Sequence, residues 1–282
     1  MRNIAQHGKV RPPAVAGSFY AGNPLGLQSE VDALLASVPP SQTASPKALI
    51  VPHAGYIYSG RVAATAFAVL RNRVAAIERV VVIGPAHFVP VRGIAIPTAT
   101  TYETPLGRVP VDHEALAAVA DLPFVISADD PHAPEHALEV ELPFLQTVLG
   151  PFAMVPLLVG QTAPRHVADL LSRLWGGPET LIIVSSDLSH YHEHESARRL
   201  DAITAEAIDR HDWSRLGPGS ACGFLPIAGL LIEAARRGMR TRRLALCNSG
   251  DVAGDRRRVV GYGAWSFEEP EGSVAARLTS LS

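Results

Sequence analysis

The stretch Ala48–Tyr56 reads A-L-I-V-P-H-A-G-Y, four apolar residues running straight into Pro52-His53-Ala54-Gly55. Two other stretches repeat the design: V-V-V-I-G-P-A-H over Val80–His87 and L-I-I-V-S-S-D-L-S-H over Leu181–His190. Short, unbroken runs of Val, Ile and Leu fit strands buried on both faces, as in parallel sheets. Similar runs at Gly93–Ile96, Met154–Val159, Leu244–Cys247 and Val259–Trp265 extend the set. Between them fall helical patterns near Gly60–Arg71, His113–Val119, Glu135–Leu149, Arg165–Trp175, Ser196–Arg210 and Pro226–Arg237. Pro226 suits a first helical turn, and Gly238 sits where a C-terminal glycine belongs. This alternation predicts an α/β fold, a three-layer α/β/α sandwich around a mostly parallel central sheet.

With 282 residues, 47% of them hydrophobic and 18% charged, the chain has material for one large core and no signature of disorder. We expect a single domain over residues 1–282 with its core at about 11–267, a loop at Ser37–Pro46, and a tail after Glu268. A net charge of −2 gives no long-range attraction to nucleic acid or an anionic membrane. The basic clusters Arg236-Arg237, Arg240, Arg242-Arg243 and Arg256-Arg257-Arg258 read as solvated helix ends and loop rims, with no interleaved aromatics to stack bases. Two cysteines, Cys222 and Cys247, make no disulfide framework and suit a reducing compartment. The absence of a signal-peptide pattern or a run of roughly 18 apolar residues makes a cytoplasmic location the expectation.

In open α/β sheets ligands bind beyond the carboxyl ends of the strands. His53, His87 and His190 all follow such ends and can converge although distant in sequence. Imidazole is the commonest metal ligand and a general base near neutral pH. One such histidine alone is usually a structural residue; three placed alike point to a shared site. Asp187, three residues before His190, can orient an imidazole or cap a turn. His192 and His194 extend the H-Y-H-E-H run and read as a solvated loop. Glu135, Glu139 and Glu141 read as helix-start capping acids. Tyr56 and Tyr58 can reach over the site or pack in the core. Cys222, in A-C-G-F before a helix, is either an inert buried thiol or one of lowered pKa. Cys247 ends a strand close enough to rival other ligands.

The strings RPPAVAGSFY, VPHAGYIYSG, IGPAHF, EHALEVELPF, VPLLVG, VSSDLSHY, CGFLPI and NSGDVAGDRRRVVGYGAW, in this order from Arg11 to Trp265, resemble the motifs of the Memo family. Its bacterial and archaeal members are often called protein B of the AMMECR–Memo–radical-SAM system, and its fold is similar to the class III extradiol dioxygenases. The resemblance implies a metal held by His53 and His87, with His190 as acid/base residue and His136 lining the pocket. It also implies a third ligand from Asn248–Gly254. The cysteine position of the animal proteins falls on Val252, which cannot ligate, so Asp251 is the expected substitute. Two histidines and a carboxylate form the facial triad of non-haem Fe(II) enzymes, so Fe(II) is the expected metal, with Cu or Zn as alternatives. The implied function is a metal-dependent oxidoreductase acting on a small molecule, or a non-catalytic metal- or partner-binding protein, in functional association with AMMECR-type and radical-SAM proteins. Hydrolase chemistry is disfavoured, since neither G-x-S-x-G nor H-E-x-x-H occurs.

Overall fold

The chain begins with β1 (Val10–Arg11) and α1 (Pro24–Ala36), followed by β2 (Ala48–Val51), α2 (Tyr56–Ala68), β3 (Arg79–Pro85) and β4 (Ile94–Ile96). A hairpin of β5 (Thr101–Thr104) and β6 (Gly107–Pro110) leads through α3 (His113–Ala117) to β7 (Val125–Ser127), α4 (Leu142–Leu149) and β8 (Ala153–Val159). Next come α5 (Pro164–Arg173), β9 (Thr180–Ser185), β10 (His190–His192), α6 (His194–Asp209) and α7 (Phe224–Arg236). The last elements are β11 (Arg240–Asn248), α8 (Ser249–Ala253) and β12 (Val259–Glu268). This computed structural model describes residues 8–39, 46–72 and 77–270. Residues 40–45 of the expected loop, and the expected tail from 271 onward, lie outside the described residues.

Nine strands form one sheet in the order β10-β12-β2-β9-β3-β8-β4-β7, with β11 beside β12. The central strands β2, β9, β3 and β8 are parallel, with Val51 opposite Ser185 and Val81 opposite both Ile182 and Val155. Ile50, Val81, Leu157 and Ile183 are wholly out of water, as unbroken aliphatic runs require. Towards the edges the pairing turns antiparallel: β12 against β2, β10 and β11, and β4 against β8. The α/β expectation holds, and the sheet is mixed: parallel through its centre and between β4 and the edge strand β7, antiparallel elsewhere. Residues 249–258, which join β11 to β12, are too few for a parallel crossover, which takes a dozen or more. Helices α1, α2 and α4 pack together, α5 pairs with α7, and α6 packs on β11 and β12.

Local chemistry sets the helix ends. The Asn23 side chain accepts the Gly26 N–H at 2.8 Å, and Pro24 opens α1. Gly238 takes φ +61° just beyond α7, where a side chain would be strained. The helix expected from Glu135 begins only at Leu142, because Pro143 fits a first turn and would break a longer helix. A 3-10 turn (Glu139–Glu141) precedes it.

Buried carboxylates on this segment serve distant parts of the chain. Glu139, with no solvent exposure, accepts from the Arg11 guanidinium and the Tyr20 hydroxyl. It also accepts the N–H groups of Ala14 at 2.7 Å and Val15 at 3.0 Å. Arg11 further donates to the carbonyl oxygens of His132 and Glu135. Removing one partner of a buried pair strands the other charge, at a cost of about 3–5 kcal/mol. We expect Glu139→Ala to lower unfolding stability by about that amount, measured by urea denaturation. A change below about 1 kcal/mol, the scale of an exposed pair, would show that the clamp is not structural.

Candidate metal centre

Strands β2, β3 and β9 end at one edge of the sheet, and each releases a polar residue two positions later: His53, His87 and Asp187. Asp187 is 4% exposed, and its Oδ1 accepts the His53 N–H at 2.9 Å. Burial pushes its carboxyl up to about 7, against the pull of the N–H groups of His53 and Ala54.

Glu135 organises the His87 side. Its Oε2 accepts the His87 N–H at 2.6 Å, and its Oε1 accepts from the His87 Nδ1–H at 2.8 Å. The same Oε1 accepts the N–H groups of His136 and Ala137, both at 3.0 Å. These donors hold the Glu135 carboxyl below its usual range although burial opposes them. With Nδ1–H committed, the His87 Nε2 carries the free lone pair, the carboxylate–histidine arrangement found behind metal ligands. The loop bearing Glu135 and His136 packs closely on β3 at Gly84, where an added Cβ would lie 3.1 Å from Leu138 and 3.2 Å from Ala137.

Around His53 the hydrogen atoms can be counted. The Ser185 hydroxyl meets three groups: Ala137 O at 2.6 Å, His53 Nδ1 at 2.7 Å and Glu141 Oε1 at 2.8 Å. Each contact needs one hydrogen, Ser185 supplies one, and the Ala137 carbonyl has none to give. His53 Nδ1–H and a protonated Glu141 supply the other two. Burial raises the Glu141 pKa well above the usual carboxylate range, and its Oε2 is buried without a partner, in keeping with a neutral acid. His53 is thus the Nδ1–H tautomer, and its bare Nε2 faces Cys222 Sγ at 3.3 Å.

The rings of His53 and His87 lie 5.2 Å apart, His53 and His136 5.3 Å, and His87 and His136 4.9 Å. One ring nitrogen from each of the three lies within 4.8 Å of the others, the only such group of potential ligands among the described residues. His136 Nδ1 is buried and makes no hydrogen bond, with Glu135 Oε1 3.3 Å away. Burial and the neighbouring imidazoles hold His53 well below its ordinary pKa, and burial takes His136 down to about 4. Burial also lowers His190, whose Nδ1–H donates to Leu188 O at 2.8 Å and leaves Nε2 open. His53, His136 and His190 are therefore neutral at pH 7, the form that ligates. All of these groups, with Cys222 and Asp187, line one cavity of about 920 Å³.

Other expected site residues fall elsewhere. Asp251 is not brought to the histidines: its Oδ1 meets His194 Nε2 at 2.8 Å, and its Oδ2 accepts the Asn248 N–H at 3.1 Å, closing a capping box on α8. Its pKa is lowered by those bonds. Cys247 lines a separate cavity of about 380 Å³ with Asp201 and Asp251. Tyr56 is buried and donates to Val140 O at 2.8 Å, whereas Tyr58 lines the main cavity. His192 also lines it. Val252 is half exposed on α8 and is not among the cavity-lining residues.

The thiol that does reach the cluster is Cys222. Burial, with the Asp187 charge, pushes it up to about 12, which fits the buried-thiol alternative and not a lowered pKa at a helix start. Ser185, Glu135 and Glu141 were also missed as partners of the histidines. The available signal was three glutamates within seven residues beside His136, a density excessive for capping one helix.

The family model described as "Memo-like protein" matches residues 11–266. The chain belongs to the Memo family. Among its Memo relatives are proteins described as "MEMO1 family protein" from Archaeoglobus fulgidus, 36% identical over 92% of this chain and 99% of the relative, and from Aquifex aeolicus, 35% identical over 90% and 97%. A Sulfolobus acidocaldarius relative is 33% identical over 90% and 97%. The Memo chain also resembles the crystal structure of an uncharacterized protein from Escherichia coli K12, with a TM-score of 0.54 and 12% identity over 78% of this chain and 98% of that one. That likeness concerns the fold alone.

The hydrogen count yields a measurable expectation. In metal-free protein, nitrogen NMR should find His53 as the neutral Nδ1–H tautomer. Ser185→Ala, which leaves that N–H buried without its acceptor, should convert it into a tautomer mixture. An Nε2–H form in the wild type would refute the assignment.

Proposed function

We propose that this Memo protein binds one transition-metal ion through His53 and His87, with His136 and Cys222 completing the donor set, and acts on a small molecule in the adjoining cavity. The observation that carries this reading is the convergence of three ring nitrogens within 4.8 Å, two from the ends of buried strands and one from the loop packed on them. The donors fit an ion: two imidazoles have their Nδ1–H groups tied back to Ser185 and Glu135, and the third has a buried Nδ1 that makes no hydrogen bond and lies 3.3 Å from Glu135 Oε1. A bound ion would supply Lewis-acid or redox chemistry and would draw the Cys222 thiol to its thiolate. Imidazole with thiol suits Cu or Zn as well as Fe, so the Fe(II) expectation, which rested on Asp251 as carboxylate ligand, loses its main support. Among the described residues no carboxylate replaces Asp251 in the cluster.

His190 and Asp187 favour turnover over simple binding. His190 presents an open Nε2 to the cavity and can take a proton from a bound hydroxyl. Asp187, held near neutrality, can store one beside it. A second reading, a non-catalytic metal-binding pocket, is favoured by the diversion of Asp251 to His194, since the facial triad of oxygen-activating iron enzymes is then not formed.

Metal analysis of protein purified anaerobically without a metal-binding tag tests the reading. We expect near-stoichiometric metal in the wild type and loss in His53→Ala and His87→Ala. Glu135→Gln should weaken affinity by about 10–100-fold, the usual cost of losing the group behind a ligating histidine. Asp251→Asn should leave affinity unchanged and His190→Ala should keep the metal. Full occupancy in both histidine variants would sink the metal centre. Oxygen uptake or product formation in a substrate screen, lost in His190→Ala, separates turnover from binding.

A further inference from the structure

Arg258 lines the same cavity as His53 and His87, immediately before β12. Its guanidinium lies over the Tyr191 ring, 5.0 Å from the centroid, and among the described residues no carboxylate pairs with it. The two acids that line the cavity are otherwise engaged. Asp255 is bound by Arg257 at 3.0 Å, and Asp187 accepts from the backbone of His53. Arg258 is thus a fixed positive charge in the cavity wall that the chain itself leaves uncompensated.

The backbone is arranged to keep it there. β10 pairs with the start of β12, His190 opposite Val260 and His192 opposite Val259, with an irregularity between them at Tyr191. Tyr191 takes φ +61°, a left-handed conformation uncommon for a bulky residue, and its side chain is 63% exposed. Strain of this kind persists where the surrounding structure over-determines it, and it gathers at ligand sites. Here it holds the Tyr191 ring against both the Arg258 guanidinium and the His190 ring, the latter 5.6 Å away and nearly edge-on. A charged, aromatic and imidazole wall results, continued by Phe19, Tyr58 and Tyr262.

We propose that Arg258 is the anion-recognising residue of this cavity and that its ligand is a small aromatic carboxylate. The guanidinium fork matches the two oxygens of a carboxylate. One such fork, with no lysine in the lining, answers one negative charge better than the two of a phosphate ester. The aromatic wall gives a planar ring its stacking surface. This inference deepens the small-molecule reading of the same site, but the recognition it describes needs no metal.

The test uses the full chain after chelation, titrated by NMR with benzoate, its neutral isostere benzamide, and phenyl phosphate. Benzoate should bind at least about tenfold tighter than benzamide, the scale of one charge-assisted hydrogen bond. Arg258→Gln should abolish that preference, and Arg258→Lys should restore part of it; exposed Arg258 makes both variants fold normally. Equal binding of benzoate and benzamide, or a preference that survives Arg258→Gln, would overturn the proposal. A preference present with metal and lost on chelation would place the anion on the ion and overturn it as well. Phenyl phosphate binding tighter than benzoate through Arg258 would replace the carboxylate by a phosphate ester. Metal content of Arg258→Gln, expected at the wild-type value, is read separately, so a failure of the metal centre leaves this result standing.

Discussion

Strands β2, β3, β8 and β9 are shut off from water on both faces, and almost every side chain along them is buried. An unpaired polar group inside such a strand costs roughly 1–3 kcal/mol or more. Polar chemistry is therefore pushed to the strand ends, and parallel strands put those ends on one edge. His53, His87 and Asp187 share an offset of two residues because the same constraint acts on three strands at once. The helices on either face serve this end by covering the sheet.

Glu135, Glu139 and Glu141 show how a loop with little regular structure is held beside that edge. All three are buried, and each carboxyl does different work. Glu135 gathers four N–H groups and aims His87. Glu139 anchors the N-terminal segment, whose Phe19 packs on His136 at 4.9 Å. Glu141 closes the hydrogen-bond set around Ser185. The two histidines consequently differ in electronic character: His87 is backed by an ionised carboxylate and His53 by a neutral hydroxyl and a neutral acid.

The fold was legible because unbroken aliphatic runs have few other uses, and the strand-end histidines because their residue type stands out after such runs. The antiparallel edges were not, since the direction of β12 depends on the length of the α8 connection and on its partners. The thiol that faces the histidines was illegible for a similar reason. Asp251 and Cys222 both follow glycine- or serine-rich segments, and only the packing of α7 and α8 decides which side chain faces the cavity. Pro143 carried usable information that the helical pattern around Glu135 obscured: it fixed the start of α4 and released three acids for tertiary contacts.

The Arg11–Glu139 pair joins residues 128 positions apart. Contacts of that span close late in folding, because the intervening chain must be confined before they form. The segment around Phe19 precedes Glu139 in the chain, and it gains its anchor only when Glu139 is in place. Until then His136 and Glu135 have no wall to lean on. The cavity wall is thus complete only when residues 128 positions apart have met, and a chain in which that contact is open lacks the Phe19 side of the site.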